Sequence, residues 1–176
     1  MKRSLELERI YPHPRALVWS ALSDPELLAT WLMPNDFVAE IGHEFTFRTD
    51  PAPGFDGIVH CKVVDMDPER LMRWSWRGGS IDTTVTFRLE DAILYSRPAT
   101  RLVLEHTGFD GLPAVLTSFI LGAGWAAMLR KKIPLVLERM ARGETLGPTH
   151  APKANWRASW WWLAKLFSPI LRRNAK

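Results

Sequence analysis

The sequence predicts an α+β domain in which one face of a seven-stranded antiparallel sheet is covered by a long helix near the carboxyl end. Residues 37–107 alternate between apolar and polar side chains, which is typical of strands with one buried face. Residues 112–142 repeat apolar side chains at steps of three and four, which is typical of an amphipathic helix. A helix of that length needs a broad apolar surface, and the sheet supplies it.

The chain opens with one strand and two short helices. Residues 5–11 alternate loosely and predict the first strand, which a pair of prolines ends. Residues 15–22 predict a short helix. Asp24 followed by Pro25 predicts the cap and first turn of a second short helix, which stops before Pro34.

The predicted sheet consists of alternating segments joined by short connections. The clearest segments are residues 45–47, 58–65, 72–77, 81–89 and 101–106. Turn signals separate them at Pro51, Asp67, Gly78 and the Arg97–Pro98 segment. Short connections combined with one-sided alternation indicate an antiparallel arrangement.

The long helix carries one apolar stripe and one charged face, and is about 45 Å long. The stripe consists of Val115, Phe119, Gly122, Ala126, Leu129, Ile133, Val136, Leu137 and Met140. The charged residues Lys131, Lys132, Glu138, Arg139 and Arg142 lie on the opposite face. Pro134 removes a backbone donor and predicts a kink, and Gly143 is the predicted stop.

Length and composition predict one domain in an intracellular setting. The chain has 176 residues, and its single cysteine, Cys61, excludes an internal disulfide framework. The basic start is not followed by an apolar run, and no stretch of ~20 apolar residues is evident, so we expect neither a signal peptide nor a spanning helix. These features predict a cytoplasmic protein.

The positive charge is concentrated at the carboxyl end. Six basic residues and no acidic ones follow residue 145, so the net charge of +4 becomes 4 − 6 = −2 for the rest of the chain. The main domain, predicted as residues 1–143, therefore gives no sign of a nucleic-acid partner. Residues 144–155 form a predicted linker rich in proline and glycine.

Residues 156–173, which we call the tail, project as a basic, tryptophan-rich amphipathic helix that Pro169 kinks or restarts. The residues expected to contact a membrane or a partner are Trp156, Arg157, Trp160, Trp161, Lys165, Phe167, Arg172 and Arg173. Such a composition is typical of a helix at the inner membrane surface. Packing of the tail on its own domain or on a second copy in a homodimer is the alternative, with disorder as a third.

Three segments resemble the activator of heat-shock protein 90 ATPase family of the START/SRPBCC superfamily. The first is the opening signature, with Arg9, Pro14, Val18–Trp19, Asp24–Pro25–Glu26, Trp31 and Pro34. The second is the hairpin DMDPERLMRWSWRGG at residues 65–79. The third is TRLVLEHTGF at residues 100–109, followed by Gly124–Trp125 in the long helix. The resemblance covers about residues 5–143 and leaves out the tail.

The resemblance implies a helix-grip fold, in which a curved sheet wraps around the long helix and leaves a cavity for an apolar ligand. The candidate lining is Trp31 near the mouth, with Phe47, Trp76, Phe87, Leu104, His106, Phe119, Trp125 and Ala126. These side chains equally suit a filled core. His106 is either a polar anchor for a ligand or a core histidine whose hydrogen bonds are satisfied.

No catalytic motif accompanies this fold. His60 and Cys61 are adjacent in a strand and point to opposite faces, so they do not pair. No motif for metal, phosphate or serine chemistry is present, and no catalytic residue, metal or cofactor is predicted. The leading hypothesis is binding of an apolar small molecule or lipid-like ligand. The alternative is a co-chaperone-like module that binds a chaperone or another protein, and a weaker one is an enzyme that uses the cavity.

Overall fold

The computed structural model describes residues 1–144 and 146, and these residues form one antiparallel sheet packed against helices. The strands are β1 (Lys2–Tyr11), β2 (Glu44–Arg48), β3 (Ile58–Asp67), β4 (Leu71–Gly78), β5 (Ile81–Leu94) and β6 (Arg97–Asp110). Their order in the sheet is β1-β6-β5-β4-β3-β2. The first strand therefore pairs with the last, as Leu7 opposite Leu104 illustrates.

The sheet of the described chain has six strands, so the prediction of seven is wrong. The residues between the alternating segments 81–89 and 101–106 belong to one long hairpin, in which β5 and β6 each span 14 residues. The turn lies at Tyr95 and Ser96, whose φ angles are 49° and 61°, as a two-residue hairpin turn requires. The predicted turn at Arg97–Pro98 is instead the start of β6, where Pro98 lies opposite Ile93.

Two short helices follow β1, as predicted. They are α1 (Arg15–Ser23) and α2 (Pro25–Trp31). The Asp24 carboxylate accepts hydrogen bonds from the backbone N–H groups of Glu26 and Leu27, at 2.8 and 3.0 Å, and so caps α2. The Trp31 indole donates to the carbonyl oxygen of Ala21 at 2.7 Å, which fixes α2 against α1.

The long helix is continuous but changes its hydrogen-bond pattern in the middle. It consists of α3 (Leu112–Ala127), a π-helical turn (Met128–Lys132) and α4 (Ile133–Ala141). In the π turn the Ile133 N–H donates to the Met128 carbonyl oxygen, five residues back. The next carbonyl, that of Leu129, would need its donor from Pro134, which has no N–H. The Tyr11 hydroxyl at the end of β1 donates to it instead, at 2.8 Å.

We expect Tyr11→Phe to cost about 1–3 kcal/mol of unfolding free energy, because it leaves the buried Leu129 carbonyl without a donor. Denaturant unfolding of the full-length chain measures the loss. Pro134→Ala supplies a backbone N–H at the right place, so Tyr11→Phe should cost less in that background. An equal loss in both backgrounds would show that Tyr11 does not serve this carbonyl.

The π turn also explains why the predicted apolar stripe is only half right. After the turn, Leu129, Ile133 and Val136 are buried as predicted. Before it, Val115 is also buried as predicted, but Phe119 is exposed and Ala126 is only partly buried. The other buried positions of α3 lie outside the predicted stripe: Ala114, Ser118 and Trp125. The extra residue of a π turn rotates the two halves of the stripe by about 100° relative to a regular α-helix.

By length and composition alone, the helix Leu112–Ala141 would suffice to cross a membrane, contrary to the expectation from the sequence. A third of the residues in its most apolar window are buried inside the domain. Most residues of that apolar window are therefore not buried in the core.

The core lies between the sheet on one side and α1, α2 and the long helix on the other. It extends beyond residue 143, the predicted end of the domain. Its largest fully buried side chains are Trp31, Trp74, Tyr11, Phe37, Phe45, Phe47, Phe87 and Phe109. Leu146 also belongs to it, although residue 146 was predicted to lie in a linker. The predictions for the rest of that linker and for the tail fall outside the described residues.

Candidate functional site

Most of the predicted lining residues meet in the interior between the sheet and α3. Seven of the nine are buried: Trp31, Phe47, Trp76, Phe87, Leu104, His106 and Trp125. Phe119 lies on the other side of the helix, under the guanidinium of Arg3, whose Cζ is 3.7 Å from the ring centroid. Ala126 is displaced from the interior by the same rotation of the helix.

The buried rings are in mutual contact. Trp125 reaches down from α3 to Trp76 and Phe87, with centroids 5.5 and 5.9 Å apart. Trp31 packs its edge against Phe87 at 6.5 Å. These are the edge-to-face arrangements of a well-packed aromatic core. The interior is thus strongly aromatic, and its rings fill much of the space that the sequence assigned to a ligand.

Trp74 lies at the centre of this cluster and was not among the predicted lining residues. Its ring is 5.0 Å from that of Phe87 and 5.7 Å from that of Phe47, and Phe37 and Phe45 also contact it. Its indole N–H is buried and has no hydrogen-bond partner among the described residues. The alternation of Met72, Trp74 and Trp76 along β4 was the signal that could have identified it.

His106 is fully buried, and both of its ring nitrogens are engaged. The Thr83 hydroxyl donates to the Trp76 carbonyl oxygen at 3.0 Å, so it must accept from Nε2–H of His106, 2.8 Å away. The Trp125 indole donates to Nδ1 at 3.1 Å. Burial lowers the pKa of His106 to about 3, which keeps the ring neutral. This geometry favours the core histidine over the ligand anchor.

His60 and Cys61 are neighbours in β3 and do not form a catalytic pair with each other. Cys61 faces the core opposite Trp76, whereas His60 lies on the exposed face opposite Arg77. Burial raises the pKa of the Cys61 thiol, which suppresses the reactive thiolate. Within the described residues, no group of three or more histidine, cysteine or acidic side chains is arranged to hold a metal ion.

A shallow groove of about 440 Å³ lies on the surface at the β4–β5 turn, away from the aromatic interior. Gly78, Gly79 and Asp56 form part of its lining. The Arg77 guanidinium and the Asp82 carboxylate in its wall bond each other at 3.1 Å. Arg77 and Asp82 therefore pair with each other, and the Asp56 carboxylate accepts a hydrogen bond from the Ile58 backbone N–H at 3.0 Å.

A second candidate surface is the outer face of α3, which we define by its exposed residues Leu112, Leu116, Phe119, Ala123 and Ala127. The three large side chains are 62%, 49% and 56% exposed. Contiguous exposed apolar side chains of this size are a common sign of an interaction surface. This surface suits a protein or lipid contact rather than chemistry.

Comparisons with solved structures identify proteins of the same fold. Protein MLL2253 from Mesorhizobium loti is 28% identical over 78% of this chain and 98% of its own, with a TM-score of 0.66. Protein BH1534 from Bacillus halodurans is 23% identical over 78% and 99%, with a TM-score of 0.63. The Aha1 dimer from Colwellia psychrerythraea is 17% identical over 72% and 90%, with a TM-score of 0.58.

Comparison with curated protein sequences gives no match. The sequence does match a protein family described as "Activator of Hsp90 ATPase homolog 1-like protein", over residues 12–138. That span includes both short helices, β2 to β6 and nearly all of the long helix. The chain belongs to the Activator of Hsp90 ATPase homolog 1-like protein family.

Proposed function

We propose that the chain binds a mainly apolar small molecule that carries one hydrogen-bond acceptor, in the interior around Trp74. The unpartnered, buried indole N–H of Trp74 carries this proposal. A buried donor without a partner costs about 1–3 kcal/mol, and such groups are rare in native proteins. An acceptor atom on a bound ligand would remove that cost.

The surroundings of Trp74 favour a particular ligand chemistry. Its ring contacts are phenylalanines, including Phe45, Phe47 and Phe87, which favour an aromatic or acyl body. The acceptor should be neutral, such as a ketone or ester carbonyl, because burying an unpaired carboxylate is very costly. Since the rings touch, entry requires some of them, such as Trp31 on α2, to move aside.

We expect the full-length protein to bind prodan, a neutral naphthalene dye with one ketone, with a blue-shifted emission. Trp74→Phe should weaken that binding about tenfold, the loss expected for one buried hydrogen bond. Trp19→Phe is the matched control, because Trp19 only packs on the edge of the core. Its binding should match that of the wild type.

A second dye separates the hydrogen bond from packing. The same naphthalene without the ketone should bind the wild type and Trp74→Phe equally. Absence of prodan binding, or a Trp74→Phe variant that binds prodan as well as the wild type does, would refute the proposal.

Protein binding is a second candidate function, favoured by the exposed outer face of α3. The solved relative from Colwellia psychrerythraea is described as a dimer, which makes self-association a specific form of this alternative. The enzyme alternative has no supporting arrangement among the described residues. The family favours a cytoplasmic location.

A further inference from the structure

The outer face of α3 is a continuous apolar strip. Leu112, Leu116 and Phe119 follow one another at helical spacing, and Ala123 and Ala127 continue the line. No charged residue occurs between positions 112 and 129, a stretch of 18 residues or about 27 Å of helix. The Arg3 guanidinium lies over the Phe119 ring, but that side chain is still 56% exposed, and an exposed apolar strip of this kind favours association.

We propose that the tail of the same chain covers this strip, packing along α3 as an antiparallel amphipathic helix. The tail, residues 156–173, has 18 residues, and its first 13 would extend about 20 Å as a helix before Pro169 kinks or restarts it. One side of its helical projection is apolar: Trp156, Trp160, Leu163, Phe167 and Ile170. The tail before Pro169 is therefore long enough to cover most of the strip.

The path of the chain after α4 supports the antiparallel direction. Gly143 has a φ of 73°, and its N–H donates to the Met140 carbonyl oxygen at 2.9 Å. The Glu144 N–H donates to the Arg139 carbonyl oxygen at 3.1 Å. This pair of bonds is a Schellman motif, which ends the helix. Leu146 is then buried in the core, so the chain returns to the domain rather than leaving it.

The connection is long enough. Nine residues lie between Leu146 and Trp156, so the two can be up to about 33 Å apart when the connection is extended. The distance back along the helix from Ala141 to Leu129 is about 18 Å. A connection of this length also holds the tail near the strip at an effective concentration in the millimolar range, which favours it over a second copy of the chain.

The shape of the strip fits the same arrangement. Ala123 and Ala127 leave room for large rings, and a Cβ atom added at Gly124 would meet nothing within 4 Å. Charge does not decide the direction. The antiparallel one brings Arg172 and Arg173 near Asp110 but also near the amino terminus and Arg3, and the parallel one brings them near Arg130 and Lys131.

Hydrogen exchange of the full-length chain tests the proposal. In the wild-type monomer we expect the amides of the tail to exchange slowly. Ala123→Lys places a charge in the middle of the strip and should speed their exchange about tenfold or more, as expected for loss of a docked segment. Ala141→Lys, an exposed alanine of α4 away from the strip, is the control and should leave the tail protected.

Light scattering and vesicle binding test the two other ways of covering the strip, by a second copy of the chain or by a membrane. Protection that disappears on dilution of a dimer means that a second copy covers the strip. Protection seen only with anionic vesicles means that the membrane does. Either result, or a wild-type tail without protection, overturns the proposal. Leu116→Lys, tested in parallel at another exposed position, should repeat the effect of Ala123→Lys, and its failure to do so also counts against docking on this face.

Discussion

Ile133→Asp is expected to lower the unfolding free energy by about 3–5 kcal/mol, enough to unfold a marginally stable domain. Ile133 is almost completely buried and follows directly on the π turn. A carboxylate there would lose its hydration, with only apolar core residues such as Leu129 and Leu137 beside it on the buried face. Denaturant titration followed by circular dichroism measures the loss.

Lys131→Asp is the matched control for this substitution. Lys131 lies two residues earlier in the same helix, and its side chain is exposed. We expect a change within about 0.5 kcal/mol. Lys132, which the helical pattern places on the charged face, is less suitable, because it is partly buried and burial lowers its pKa. Equal destabilisation by the two aspartates would mean that the burial of Ile133 is misassigned.

The sequence pattern was sufficient to predict the element types, because each depends on local signals. The alternation in β4 and β5 predicted inward-facing Trp76 and Phe87, and Asp24 predicted the start of α2. The position of the β5–β6 turn was missed by two residues. Tyr95 and Ser96 adopt left-handed conformations without the glycine or asparagine that usually marks such a turn, whereas Arg97–Pro98 carried the expected turn signal.

Helical spacing alone could not predict which residues of α3 point toward the sheet. The π turn adds one residue to the repeat, and Pro134 indicates only that something changes near it. A regular projection from Ile133 therefore leads to Ala126 and Phe119, whereas the real helix presents Trp125 and Ser118 to the sheet. The exposed outer face of α3 follows from the same shift.

The polar contacts of the interior depend on register across strands. That His106 would meet Thr83 from β5 and Trp125 from α3 could not be read from spacing along one segment. The same is true of Trp74, whose lack of a partner is visible only when every neighbouring side chain is placed. Alternation predicts which residues point inward, but not which of them bond one another.

The largest expected effect of acidic pH comes from His106. Its folded-state pKa is lowered to about 3 by burial, whereas an unfolded histidine has a pKa of about 6.5. As the pH falls below 6.5, the unfolded chain binds a proton that the folded chain excludes, so stability is lost progressively down to the folded-state pKa. At pH 4.5 the loss from this one residue should be about 2–3 kcal/mol relative to pH 7.5.

His106→Gln isolates this contribution, because glutamine does not titrate. The variant should be clearly less stable than the wild type at pH 7.5, since the bonds to Thr83 and Trp125 are disturbed. The difference between the two should then shrink by about 2–3 kcal/mol at pH 4.5, because other titrating groups cancel in the comparison. His60→Gln removes an exposed ring and should follow the wild-type curve. A difference between wild type and His106→Gln that stays constant from pH 7.5 to 4.5 would mean that His106 is protonated in the folded protein, and the hydrogen bonds assigned to its neutral ring would then be wrong.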